Sequence, residues 1–277
     1  MSGLGPIVLH GGPPLGAADV RLGAADDRLD RAGDEAIGRE LLRLAGVAAA
    51  GRAEACLPGS DAGDPTTRRI AILEVVAGPR DEAERGAADT AGLFAALASE
   101  VAGPAGEGER LRIDTVVLRG RSDAASGRPS AFLAAADLVY LPAGNAAAIV
   151  ATLRETLAWN AVLAARARGA VLGASGGAAN ALGSWLPGSG GAGLAILPRV
   201  AVIAGVAAAD ELLASHAAVP AEMALLGLAT RTALVSGEPG GGGRGWRVAG
   251  RGPAWLLVPG AAGPMSAGPG EVLTLLE

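Results

Sequence analysis

Short apolar runs alternate along most of the chain with stretches whose apolar residues recur every three to four positions. Ile7-Val8-Leu9-His10 is an apolar run stopped by Gly11-Gly12-Pro13-Pro14, the pattern of a buried strand closed by a turn. Residues 15–33 are small, charged and Gly-punctuated, which predicts a surface loop or a frayed helix. Asp34 then caps a helix whose apolar positions Ile37, Leu41, Leu42 and Leu44 share one face. A Gly/Pro loop over 57–67 leads into a second strand, from Ile70 to Val76. Gly78-Pro79 ends it, and a helix from Asp81 carries Leu93, Phe94 and Leu97. After a loop over 103–109, Leu111 to Leu118 reads as a strand and 119–128 as a polar connection. A short helix over 131–136 precedes the strand Asp137-Leu138-Val139-Tyr140-Leu141, which closes on Pro142-Ala143-Gly144-Asn145. The helical region that follows to Arg168 breaks near Thr156, which caps its second half.

Next comes Ala170-Val171-Leu172-Gly173-Ala174-Ser175-Gly176-Gly177-Ala178-Ala179-Asn180. The spacing predicts a short strand over 170–172, a break at Gly173 and a helix from about Gly176. The one hydroxyl, Ser175, stands in a literal G-x-S-x-G. That pattern suits a nucleophile elbow, a tight strand-to-helix turn that lifts a serine Oγ above the sheet; it also suits a Gly-rich turn whose Ser caps the helix. Strands alternating with helices predict a parallel sheet covered on both faces, with ligands at the carboxyl ends of the strands. His10, Asn145 and Ser175 all fall at that edge.

After Leu182 the texture changes. Residues 183–193 are loose and Gly-rich, and short strands follow over 194–197, 201–204, 225–228, 233–236, 246–249 and 254–258. They read as antiparallel hairpins closing one end of the sheet, with 240–243 as a hairpin loop. No linker marks a second domain, so 1–277 is expected to fold as one.

Composition narrows the function. Half of the 277 residues are apolar and aromatics make up 3%, so Ala-rich helices pack closely on Val/Ile/Leu strands. The chain has no Lys, and its net charge of −5 comes without a basic stripe, which argues against nucleic acid. The one cysteine, Cys56, leaves no disulfide framework or Cys-based zinc site, and no His/Asp/Glu cluster has metal-ligand spacing. No cofactor motif is present. No apolar run approaches the roughly 20 residues of a membrane span, and no signal-type leader is evident, so a soluble cytoplasmic protein is expected.

A serine nucleophile needs a base, and the chain offers two histidines. His10 ends the first strand on the correct edge. His216 lies in Glu211-Leu212-Leu213-Ala214-Ser215-His216-Ala217, a helix end. Gly11-Gly12 and Gly144-Asn145 are candidate anion cradles.

The series of motifs resembles peptidase family S51, the cyanophycinases and dipeptidase E, with the class I glutamine amidotransferase-like fold. Residues 7–12 resemble its opening glycine strand, and 137–145 its strand ending in Gly-Gly-Asn or Gly-Gly-Asp. Residues 169–179 resemble its nucleophile turn, and 193–198 and 226–234 two later segments. The resemblance implies a three-layer α/β fold with a mostly parallel, flavodoxin-like sheet. It implies Ser175 as nucleophile and Gly12, Gly144, Asn145 and Gly176 as the oxyanion and ligand-binding region. It also implies departures. Val206 stands where the family carries its histidine, Ala208-Ala209-Asp210-Glu211-Leu212 replaces its spaced arginines, and Ala229-Thr230 its acidic pair. Losing a base costs a serine hydrolase orders of magnitude. The resemblance therefore implies a degenerate member that binds a peptide-like or small ligand, or pairs with a second copy or an active paralogue. The alternatives are a working hydrolase of peptide or β-aspartyl bonds with His10 or His216 as a rearranged base, and a purely structural subunit.

Overall fold

The structure, a computed structural model, describes residues 4–16, 24–55, 67–76, 80–102, 110–237 and 245–274. In chain order the elements are β1 (Ile7–His10), α1 (Ala24–Ala55), β2 (Thr67–Val75), α2 (Arg80–Ala102), β3 (Arg110–Leu118), α3 (Arg121–Ala124) and α4 (Gly127–Ala135). Then come β4 (Leu138–Leu141), α5 (Ala146–Leu153), α6 (Leu157–Ala167), β5 (Val171–Ser175) and α7 (Gly176–Leu182). The remainder holds β6 (Gly183–Leu186), β7 (Gly191–Ala192), β8 (Leu197–Ala204), α8 (Ala209–Ser215), a 3₁₀ turn (His216–Ala218), β9 (Ala224–Leu228) and β10 (Thr232–Ser236). It ends with β11 (Gly245–Gly250), β12 (Ala254–Leu257), β13 (Met265–Ala267) and β14 (Val272–Thr274).

These form two mixed sheets. The larger has the order β14-β11-β10-β1-β5-β4-β2-β3. Its block β1-β5-β4-β2-β3 is parallel throughout, and β10, β11 and β14 extend it antiparallel. β1, β4 and β5 are buried at every position, as expected of parallel strands covered on both faces. Alternate residues enter separate cores. Ile7, Leu9, Val139, Leu141, Leu172 and Ala174 pack with α3–α7, whereas Val8, Leu138, Tyr140 and Val171 pack with Ile37, Leu41, Phe94 and Leu97 of α1 and α2.

The predicted break at Thr156 is present: its Oγ1 accepts from Trp159 N at 3.3 Å and caps α6. Asn145 caps α5, accepting from Ala148 N at 3.0 Å.

Four expectations are corrected. The first helix begins at Ala24, so Asp34 lies inside α1 and is buried rather than capping. Gly33, which closed the stretch read as a loop or frayed helix, and Gly38 within the predicted helix are both sites of close tertiary approach. A Cβ on Gly33 would lie 3.3 Å from Arg231 Cβ, and one on Gly38 2.6 Å from Leu97 Cδ1. Packing here overrides the weak helix propensity of glycine.

The nucleophile-turn strand does not stop at Gly173 but runs to Ser175. Gly173 is needed because the Tyr140 ring lies across it, 2.7 Å from where a Cβ would stand.

The C-terminal strands are not simply hairpins on the first sheet. Six form a second sheet, β13-β12-β9-β8-β6-β7, in which β6, β8 and β9 are parallel. The polar connection at 119–128 contains α3 and the start of α4. The loop expected at 240–243, like Cys56, lies outside the described residues.

Candidate functional site

His10 and Ser175 are the last residues of β1 and β5, and they stand opposite one another in the parallel register. Alternation puts both side chains on the face covered by α1 and α2. Tyr140, on the next strand, pairs in register with Gly173 and brings its hydroxyl to Ser175. Asp34 comes in from α1 and Arg231 from the β9–β10 turn. All five are buried, none more than 3% exposed.

Arg231 Nη1 donates to Asp34 Oδ2, and the same oxygen accepts from Gly16 N at 3.1 Å. His10 Nε2 stands 4.0 Å from Asp34 Oδ1, beyond hydrogen-bond range. Neither nitrogen of His10 has a hydrogen-bond partner, and the Tyr140 hydroxyl lies against Ser175 and the Leu15 backbone without strict hydrogen-bond geometry to either. Arg231 has a φ of 58°, a left-handed conformation that costs free energy in a non-glycine residue. Its carbonyl accepts from Arg251 N at 3.0 Å, and Gly250 leaves room for it, since a Cβ there would lie 2.3 Å from that oxygen.

Burial, reinforced by the Arg231 charge, pushes the His10 imidazole down to about 3. His10 is therefore neutral at pH 7 and a weak proton acceptor. Burial pushes the Tyr140 phenol up, and the neighbouring Ser175 hydroxyl opposes that rise. The residues after β1 cover the group: Leu15 is fully buried, and its carbonyl accepts from Thr90 Oγ1 of α2 at 3.1 Å.

The turn at Ser175 departs from the geometry expected of an elbow. Ser175 has φ −119° and ψ 155°, ordinary extended backbone, and its side chain makes no cap hydrogen bond to α7. The positive φ, +51°, falls on Gly176. A Cβ on Gly176 would lie 2.8 Å from Gly12 O and 2.9 Å from Ala143 Cβ, and one on Gly177 1.8 Å from Gly144 O. Backbone from the β1 and β4 ends thus fills the space into which a side chain at the turn would project. Ser175 points instead into the sheet face, against His10 and Tyr140.

The other sequence candidates separate. Gly12, Gly144 and Gly176 meet at the carboxyl edge as close backbone contacts, and Asn145 beside them is a helix cap. His216 opens the 3₁₀ turn after α8, a segment that packs on the second sheet through Leu212 and Val219. Val206 is buried in the same cluster with Ala201, Leu225 and Trp255. Among the described residues, no group of three or more His, Cys, Asp or Glu could hold a metal ion, and no helix is long and apolar enough to cross a membrane.

Sequence reasoning missed Asp34, Tyr140 and Arg231 as members of this group. The available signal was a lone arginine entering an apolar strand, in Ala229-Thr230-Arg231-Thr232-Ala233-Leu234. A charge there implies a buried partner.

The fold is similar to that of a solved peptidase. A crystal structure of a peptidase from an acI-B1 actinobacterium superposes with a TM-score of 0.66 at 18% identity, covering 98% of this chain and 97% of that one. A candidate Peptidase E from Listeria monocytogenes EGD-e is a more distant match, with a TM-score of 0.47 at 8% identity over 96% of this chain and 99% of that one. No protein-family model and no curated protein sequence matches the chain.

Proposed function

We propose that the chain is a single S51-like domain, built on a flavodoxin-like parallel core, that has kept the peptidase fold without its hydrolytic chemistry. It acts as a binding or partner subunit. The observation that carries this reading is the conformation of Ser175: fully buried and extended, with the positive φ displaced onto a glycine that has no side chain to offer. An acyl acceptor must reach its substrate with a base in hydrogen-bond range. Ser175 is shut off from solvent, and its neighbouring imidazole is a poor base. Val206, aliphatic and packed in the second sheet, adds a further reason, since the family resemblance puts the histidine there. The test is hydrolysis of a panel of peptides and β-aspartyl dipeptides by the native chain and Ser175→Ala. The two should be equally inactive; robust turnover lost in Ser175→Ala would refute the reading.

One observation favours a second reading. Ser175, His10 and Asp34 are the residue types of a catalytic triad brought together, with His10 opposite Ser175 in register and Asp34 Oδ1 4.0 Å from His10 Nε2. A hydrolase built on them would need residues 12–16 to open, and the same assay would reveal it as turnover sensitive to both His10 and Ser175.

A further inference from the structure

The five buried groups differ in one respect: Asp34 and Arg231 compensate each other's charge, whereas His10 has no hydrogen-bond partner at either nitrogen, and the Tyr140 and Ser175 hydroxyls have only loose contacts, with each other and with the Leu15 backbone. They come from three adjacent strands on one face of the sheet. Their register puts His10 beside Ser175, and the Tyr140 hydroxyl is close enough to Ser175 Oγ and to Asp34 to feel both.

Leaving such atoms unpaired in a closed interior is costly, so native structures satisfy them with protein or with ordered water. The chemistry of the lining selects the occupant. A charged ligand would add an uncompensated charge beside an ion pair that already balances. An apolar one would leave every polar atom unsatisfied. What fits is small, neutral, and both donor and acceptor. The 4.0 Å between His10 Nε2 and Asp34 Oδ1 is too long for a direct hydrogen bond and leaves both atoms open to a shared water at their side. A buried water typically makes about three hydrogen bonds, and this lining supplies that number.

We propose that His10, Tyr140 and Ser175 form a binding site for buried water beneath residues 12–16, and that this water joins them to the Asp34–Arg231 pair. The hydrated group then ties β1, β4 and β5 to α1 and to the β9–β10 turn. A serine that would be a nucleophile elsewhere serves here as a water ligand. The inference rests on the non-hydrolytic reading of the same residues, because a bridging water holds the imidazole away from the duty of a base.

Two measurements test it on the full chain. A crystal structure at about 1.5 Å or better should show water within hydrogen-bond range of a His10 nitrogen and of Ser175 Oγ or the Tyr140 hydroxyl. A direct bond from His10 to Asp34 or Ser175, with no water in contact, would overturn the proposal. Thermal melting of Ser175→Ala and Tyr140→Phe gives a second readout. Each should lower Tm by about 2–4 °C, because each removes a water ligand and leaves the others short of a partner. An unchanged or raised Tm in both would mean that the hydroxyls were unsatisfied burdens, and would also overturn it. Covalent labelling of Ser175 by a fluorophosphonate would defeat the non-hydrolytic reading; a dry group in an unlabelled protein defeats this inference alone.

Discussion

His10 and Ser175 lie side by side at the ends of adjacent parallel strands, both with no exposure to solvent. An imidazole next to a serine at the carboxyl edge of an α/β sheet looks like the start of a catalytic site. Burial changes its meaning. The ring is held neutral with little affinity for a proton, and the serine faces the interior rather than the turn. On the function proposed above, the pair belongs to a polar core beside the Asp34–Arg231 ion pair.

That core makes stability depend on pH from both sides. Unfolded His10 takes up a proton near 6.5 but native His10 only near 3, so the unfolded state binds more protons between those values. Stability therefore falls as pH drops through that window. Glu74, buried on β2, behaves oppositely. Burial pushes its carboxyl from 4.5 up to about 8, so the native state keeps a proton that the unfolded state releases, and stability falls as pH rises from 4.5 to 8. The two effects offset between 4.5 and 6.5. The midpoint of urea unfolding, followed against pH, should be highest in that interval. Each flank should be as steep as about 1.4 kcal/mol per pH unit. Glu74→Gln should flatten the alkaline flank and His10→Gln the acid one.

The turn after Ser175 should tolerate no side chain. Gly177→Ala would drive a Cβ to 1.8 Å from Gly144 O, a backbone atom that cannot swing away. Loss of folded protein, or destabilisation above about 3 kcal/mol, is expected. Gly176→Ala meets Gly12 O at 2.8 Å and must also hold φ at +51°, so it too destabilises, by less. Chemical denaturation of the two variants gives the order.

At the opposite edge of the sheet, Asp137 is the buried anchor of Arg52. It accepts from Arg52 Nε at 2.9 Å, from Arg52 Nη2 at 3.1 Å and from Arg69 N at 2.9 Å. Removing one partner of a buried pair leaves the other charge uncompensated. Asp137→Ala should cost about 3–5 kcal/mol by urea unfolding. Replacing the pair with Arg52→Met/Asp137→Leu should cost less than that single change.

Much of this was legible in the sequence. The apolar runs of β1 and β4 are short, unbroken and followed by Gly or Pro, which is how strands buried on both faces read. Thr156 announced its own cap. What misled was glycine. At Gly33 it marks where Arg231 comes close, and at Gly173 where the Tyr140 ring lies against the strand, so local propensity pointed to a loop and a break that tertiary packing overrides. The second sheet was hidden for a related reason. Parallel pairing of β6, β8 and β9 needs crossover connections rather than hairpin turns, so no turn signal records it. The G-x-S-x-G was legible as a turn, but the residue that takes the positive φ is fixed only by contacts with Gly12 and Ala143.

The central claim is that the Ser175 hydroxyl is shielded and unactivated. Intact-mass analysis after exposure to excess fluorophosphonate at pH 7.5 reads that state directly. The native chain should remain unmodified, identical in outcome to Ser175→Ala. Stoichiometric addition of one phosphonyl group to the native chain, mapped to Ser175 and absent from Ser175→Ala, would contradict it.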